Sequence, residues 1–388
     1  MLFSLEALRA RHGDCLILHF GESDDPRLMV IDGGPIGVYK NALRPRLDAL
    51  AKAIGRDGVL AIDVLMVSHI DDDHIRGILE LSSRMSEDKD HARPFEVRTL
   101  WLNAFDDMVG KDAGELVAGV AEAPARVAAS HGAEGSWEGN AQAVVASVPE
   151  GRELRNNARA LDWNANLGFE AFVMAPNSGG RTVALGELTL TVVWPVERQL
   201  EALRKEWESK LRALRAAASP AEVADIAKDI DDSVYNLSSI VCLAELGGKR
   251  MLLTGDALGA NIVEGLRAAG LLDASGRIAV DILKLPHHGS DRSVDEEFFK
   301  TIQARHYVVS GDGKYHNPEP KTLGLISKTR SDNDFALHLT YRNCSDRVGE
   351  ELAAFFLAES NAGRTYQVDF RDEAALSLCV DLLDAVDY

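Results

Sequence analysis

The chain predicts a layered fold of strands and helices with a ligand-rich centre at the carboxyl ends of its strands. Short apolar runs such as "DVLMVS", Asp63 to Ser68, read as strands buried on both faces. Segments with helical spacing alternate with them. Three apolar runs also break off directly into polar, metal-ligating residues: His69-Ile70-Asp71-Asp72-Asp73-His74 after "VLMVS", Gly255-Asp256 after "RMLLT", and His287-His288-Gly289-Ser290 after "ILKLP".

Taken in order, "CLILHF" and "RLMVIDGG" flank the polar turn "GESDDP" and predict a hairpin. "RPRLDALAKAIG", Arg44 to Gly55, has helical spacing and ends on a glycine suited to a left-handed cap. "GILELSSRM" predicts a helix after the first ligand loop, and "VRTLWLN" another strand. From about 105 to 180 the pattern loosens into Ala- and Gly-rich sequence, an expected insertion. After the strand "LTLTVVWP", a second insertion at 196–235 places Leu200, Leu203, Trp207, Leu211 and Leu214 along one helical stripe, with Ser219-Pro220 opening another helix. That arm, 196–230, either packs on the body or docks a protein partner. "SSIVCLAELGGKRMLLTGDA" is a second hairpin turning at Gly247-Gly248, and "AVDILKLPHHGS" and "HYVVSGDG" carry further strands. The expected body is 1–330. The segment 331–388 is a C-terminal extension mixing "FALHLTY" with the helix "GEELAAFFLAES", without chemistry of its own.

At 46% hydrophobic and 27% charged, the 388 residues have the balance of a globular protein with ample core material. A net charge of −19 opposes nonspecific attachment to polyanions, so a phosphate-bearing substrate must be held locally, by metal or a few basic residues. No apolar run approaches the roughly 20 residues that span a bilayer. Glu6 and nearby arginines interrupt the N-terminal segment where a secretory signal would stay apolar. A cytoplasmic protein without a membrane partner is expected. Cys15, Cys242, Cys344 and Cys379 are too scattered for a disulfide framework or a cysteine zinc cluster.

Mixed imidazoles and carboxylates suit zinc, manganese or iron, and the lack of thiolates points to an open catalytic site. His69 and Asp71, at i and i+2, face one side of an extended turn and would reach one metal, while Asp73 and His74 reach a second. The run "SHIDDDHIRG" resembles the H-x-[HD]-x-D-H signature of the metallo-beta-lactamase fold superfamily. With "GDCLILHF", "MVIDGGP", "LLTGDA" and "LKLPHHGSDRS" in the expected order, it resembles in particular the hydrolase domain of bacterial DNA-internalisation competence proteins, over most of residues 1 to 320. The resemblance implies an α+β fold, an αββα sandwich of two mixed sheets with a helical insertion, and a centre of two divalent ions, Zn²⁺ or Mn²⁺. It implies His69 and Asp71 on the first metal, Asp73 and His74 on the second, Asp256 bridging, and His288 as the last ligand. Where many members place a further histidine upstream of the bridging acid, Asn236 stands nearest here. A neutral amide would bind the first metal less tightly, and Asp71 in place of histidine hardens the site towards manganese or magnesium.

Around these ligands, Asp32 in "VIDGG" is expected to orient a ligand histidine rather than bind metal, and Asp14 has the same status. His287 is expected beside the centre without ligating it. Arg76, Lys284, Ser290, Arg292 and Lys314 lie within a few residues of the ligand loops and could meet phosphate oxygens. His316, in "SGDGKYHNPEP", resembles the tyrosine-plus-histidine loop of competence-type domains, which implies a substrate or leaving-group role. His12, His19, His91, His131, His306 and His338 have no such context and read as structural or surface residues. The chemistry expected is hydrolysis by a metal-bridged hydroxide, held through Asp73 and Asp256, with His316 as general acid. No G-x-S-x-G elbow suggests a serine nucleophile. A phosphodiesterase or nuclease, possible nucleic-acid substrate included, is the expected function. The alternatives are a small-ester, lactone or lactam hydrolase, and a metal-binding subunit of a multi-component defence or DNA-processing system.

Overall fold

The structure is a computed structural model that describes residues 1–87, 94–104, 138–201, 205, 209, 212, 213 and 238–388. β1 (Leu2–Leu8), β2 (Leu16–Glu22) and β3 (Asp25–Ile31) form an antiparallel meander, as the hairpin signal predicts. A single π turn leads into α1 (Arg44–Ile54), followed by β4 (Leu60–Ile62) and β5 (Val64–Val67). α2 (Asp72–Glu87) starts inside the first ligand loop, so its first turn carries Asp72 and Asp73, a favourable place for anionic side chains. β6 (Phe95–Val97), β7 (Thr99–Leu102), α3 (Glu138–Ala160) and the short β8 (Asn164–Ala165) complete the first half.

A second meander follows, of β9 (Arg181–Leu185), β10 (Leu188–Trp194), β11 (Val241–Leu246) and β12 (Lys249–Leu253). Gly247 and Gly248, with φ of 57° and 76°, make the turn expected of them. Helices and parallel strands then alternate: α4 (Gly259–Ala268), β13 (Ile278–Lys284), α5 (Glu296–Thr301), β14 (Ile302–Val309), α6 (Pro320–Thr329), β15 (Ala336–Leu339), α7 (Asp346–Asn361), β16 (Gln367–Phe370) and β17 (Ser377–Asp381). Gly55 corrects one expectation. Its φ of −67° is extended, so α1 ends without a left-handed cap.

One sheet runs β17-β1-β2-β3-β5-β7-β8 and the other β16-β15-β14-β13-β12-β11-β10-β9, each antiparallel at one end and parallel at the other. An apolar layer containing Phe3, Phe20, Trp101, Ile240 and Ile282 fills the space between them. Two further cores cover the outer faces. One carries Leu47 of α1, Ile78 of α2 and Leu154 of α3; the other carries Ile262 of α4, Phe298 of α5, Ile326 of α6 and Leu352 of α7. The result is the αββα sandwich of two mixed sheets.

Residues 331–388, the expected extension, supply β15 and β16 to one sheet and β17, paired with β1, to the other. Of the first insertion, α3 packs on α2 through Asn157, whose amide reaches Ser82 and Ser83 at 3.1 Å. Most of the arm expected at 196–230, and Asn236, lie outside the described residues. No described helix is long and apolar enough to cross a membrane.

Candidate metal centre

Parallel pairing of β3 with β5 brings the ends of both strands together, and the Asp32 amide bonds the Met66 carbonyl at 2.8 Å. The "DGG" turn then crosses the first turns of α2 at backbone contact, with Gly33 N donating to His74 O at 2.7 Å and Gly77 N to Gly34 O at 3.1 Å. A Cβ on Gly77 would stand 2.0 Å from the Gly33 carbonyl oxygen, so only glycine fits that crossing. This approach aims Asp32 at the ligand loop. Its carboxylate accepts from Ser68 N and Ser68 Oγ, both at 2.7 Å, and from His74 Nδ1 at 2.9 Å. His69 Nδ1 reaches the same serine hydroxyl at 3.1 Å. Both imidazoles therefore turn Nε2 inward.

The other sheet delivers its groups at the ends of β12 and β13, side by side through the Leu252–Leu283 register. His287 and His288 occupy left-handed backbone, φ 49° and 53°, which costs a non-glycine residue about 1–3 kcal/mol and persists where packing imposes it. Asp256 lies between the loops. It is 3.3 Å from His74 Nε2, 3.5 Å from His288 Nε2 and 4.0 Å from His69 Nε2. Asp73 is 3.4 Å from His288 Nε2 and 3.8 Å from His74 Nε2, and Asp71 is 3.3 Å from His69 Nε2. Two overlapping groups thus share His74, one with His69 and Asp256, the other with Asp73 and His288.

His69, His74, Asp256 and His288 are each 2% exposed or less, yet His69 Nε2, His74 Nε2, Asp256 Oδ1 and His288 Nε2 have no hydrogen-bond partner. Buried polar atoms left unpaired are costly, and several converging on one point form a donor set suited to a cation. The electrostatics agree. Burial opposes charge on every group, but Asp256, Asp32 and Asp73 outweigh it and hold His74 well above the usual imidazole range. Asp256 and Asp14 do the same for His288. Asp256 and Asp73 are held well below the usual carboxylate range, burial again being overcome, by His288 and His74. The cluster can coordinate one or more divalent ions.

Asp14 repeats on His288 the arrangement of Asp32 on His74. It is buried, 3.4 Å from His288 Nδ1 and 2.7 Å from Lys284 Nζ. The longer contact is electrostatic rather than a formed hydrogen bond. Lys284 corrects the sequence expectation: at 1% exposed, with its ammonium on Asp14 and on Leu285 O, it is closed to substrate and instead neutralises Asp14. Arg76 is also engaged, by Asp72 at 2.5 Å and Glu150 at 2.7 Å. Of the basic residues expected at the site, Arg292 and Lys314 remain exposed, while Ser290 is buried with its amide on His287 O. His287 lies 3.8 Å from Asp256, with Nδ1 at 3.0 Å from Ser293 Oγ, and burial holds its pKa down. His316 is exposed in the short 3-10 turn, Lys314–His316, that follows β14.

Sequence reading missed His12. It is 7% exposed, and burial pushes its imidazole down to about 4. Its Nε2 stands 3.3 Å from Lys314 Nζ, 302 residues away, a separation that no local pattern reveals. Its place directly before the "GDC" that leads into β2 was the available signal.

Two facing mixed sheets with helices outside, and a histidine–aspartate centre at the strand ends, define a protein of the metallo-beta-lactamase fold. In sequence it is related to ComE operon protein 3 of Bacillus subtilis (strain 168), being 32% identical over 126 residues that make up 31% of this chain and 15% of that protein. No family model matches the chain. Among solved structures, Zn²⁺-bound PqqB from Methylobacterium extorquens aligns over 97% of this chain and 89% of its own at 13% identity, with a TM-score of 0.40. A variant of the CmlA beta-hydroxylase aligns over 97% and 54% at 11% identity, with a TM-score of 0.36. Likenesses this loose carry no argument about function.

Proposed function

We propose that the protein is a metal-dependent hydrolase acting on phosphodiesters, as a phosphodiesterase or nuclease. The convergence of unpartnered ligand atoms on His69, His74, Asp256 and His288 carries this reading. Asp71 and Asp73 would complete two sites sharing Asp256. Bound divalent ions would supply Lewis acidity and lower the pKa of a coordinated water. The chain's own residues do the rest. Asp32 and Asp14 orient the two histidines, and the ligand side chains His69, His74, Asp256 and His288 are buried. Arg292 and Lys314 are exposed, Lys314 with its ammonium 3.3 Å from His12 Nε2, and would meet a phosphate. That basic rim favours a phosphodiester over a neutral ester or lactone. His316, exposed in the turn that follows β14, would give a proton to a departing alkoxide.

Hydrolysis of bis-p-nitrophenyl phosphate, DNA and RNA, beside p-nitrophenyl acetate and a lactone, tests this. The reading expects phosphodiester turnover that needs metal, rises more with Mn²⁺ than Zn²⁺, and disappears in Asp256→Asn. Turnover of the carboxyl esters alone would transfer the site to small-molecule hydrolysis.

A further inference from the structure

In a chain of net charge −19, one side of the metal centre carries cations around an exposed aromatic ring. Tyr315 is 61% exposed, and the backbone holds it there: Gly313, Tyr315 and His316 have φ of 92°, 60° and 68°. Left-handed conformation at two non-glycine residues is imposed by the neighbours. Gly313 N donates to Asn317 O at 3.0 Å, Ser345 N to Asp312 O at 2.6 Å, and Glu319 N to Gly289 O at 3.1 Å, beside His288. The backbone turn that carries the ring is held in place. Lys314 Nζ sits 4.6 Å above it, and His12 meets it edge-on at 5.5 Å.

His12 links this ring to the metal ligands. Its Nδ1 is buried without a hydrogen-bond partner, the Gly13 carbonyl accepts from Ser310 Oγ at 2.7 Å, and Asp14 N donates to Asp73 O at 3.3 Å. On the far side of His12, exposed Arg11 bonds the Tyr341 hydroxyl through its amide at 2.8 Å and Ile36 O through its guanidinium at 3.2 Å. Arg342 is exposed next to Tyr341.

A largely exposed ring with the Lys314 ammonium over one face leaves surface for a base whose own faces are free, because stacking on an aromatic side chain is available to any unpaired base and nearby cations meet the adjoining phosphates. In a duplex both faces of each base are already stacked. We propose that Tyr315, Lys314 and Arg11 form a subsite for an unpaired nucleobase and its adjoining phosphate, selecting single-stranded over duplex nucleic acid at the metal centre. The proposal rests on the phosphodiester reading above.

The test is fluorescence anisotropy of a 5′-labelled, hydrolysis-resistant phosphorothioate oligothymidylate with the metal-loaded full chain, beside a labelled hairpin duplex. Tyr315→Ala should weaken oligothymidylate binding by roughly 5–100-fold, the range expected for one base on one aromatic ring. Tyr315→Phe, which keeps the π-face, should restore it. Lys314→Ala and Arg11→Ala should each make binding less salt-dependent. The duplex should bind more weakly and be indifferent to Tyr315→Ala. Unchanged oligothymidylate affinity in a folded Tyr315→Ala, equal affinity for the duplex, or no binding by the wild type overturns the subsite. Hydrolysis of bis-p-nitrophenyl phosphate by the same preparations separates the two claims: turnover without oligothymidylate binding defeats the subsite alone, whereas Tyr315-dependent binding without any phosphodiester turnover defeats the reading beneath it.

Discussion

Asp32 and Asp14 each lie buried against a histidine from a different loop. Asp32→Asn keeps the shape but weakens the acceptor on His74 Nδ1. Metal affinity should fall about 10–100-fold, read by competition with a chromogenic chelator. The raised pKa values of His74 and His288 give a second expectation. Protons on these groups stabilise the metal-free fold below about 6.5, and that contribution is lost as pH rises through the raised values. Asp73 and Asp256, held low, contribute above their ordinary range near 3.8 and lose it only as pH falls through the lowered values. Melting temperature of chelated protein should therefore drop on the alkaline side of neutrality, while metal-loaded protein, whose ions replace the protons, resists the drop. Superimposable curves would show that the histidines are not coupled to the carboxylates as the distances imply.

The two sheets repeat one construction. Each has a meander whose last strand, β3 or β12, leads into a loop with an aspartate near the centre, and each next parallel strand, β5 or β13, leads into a loop with histidines. The crossing of the β3 turn over α2 is the tightest joint. Gly77→Ala should destabilise the chain by about 1–3 kcal/mol or more, measured by urea unfolding, because the methyl meets backbone rather than a movable side chain. The hairpins, the ligand loops and their order were legible in the sequence because each is a local pattern: an apolar run, a turn, then ligands. The roles of Lys284 and His12 were not. Lys284 reads as an available cation next to a ligand loop, and only the facing of the two sheets, which sets the end of β13 against the loop before β2, shows that Asp14 has already taken it. The end of α1 was misread because a glycine in that position can cap a helix without having to be left-handed.

At the scale of the whole molecule, the C-terminal segment closes both sheets and frames the basic rim, since Tyr341 and Arg342 follow β15 directly. Removing residues 331–388 would strip β15 and β16 from one sheet and β17 from the other, exposing the faces they cover. The truncated chain should be insoluble or lose its cooperative thermal transition. The sandwich exists, on this account, to bring buried histidines and aspartates from separate loops into one cation site. Isothermal calorimetric titration of Mn²⁺ into chelator-stripped protein, in two buffers of different ionisation enthalpy, tests that claim most directly. One to two ions bound per chain with net proton release, and binding lost in a folded Asp256→Asn, is the predicted result; no binding, or binding that Asp256→Asn leaves untouched, would contradict it.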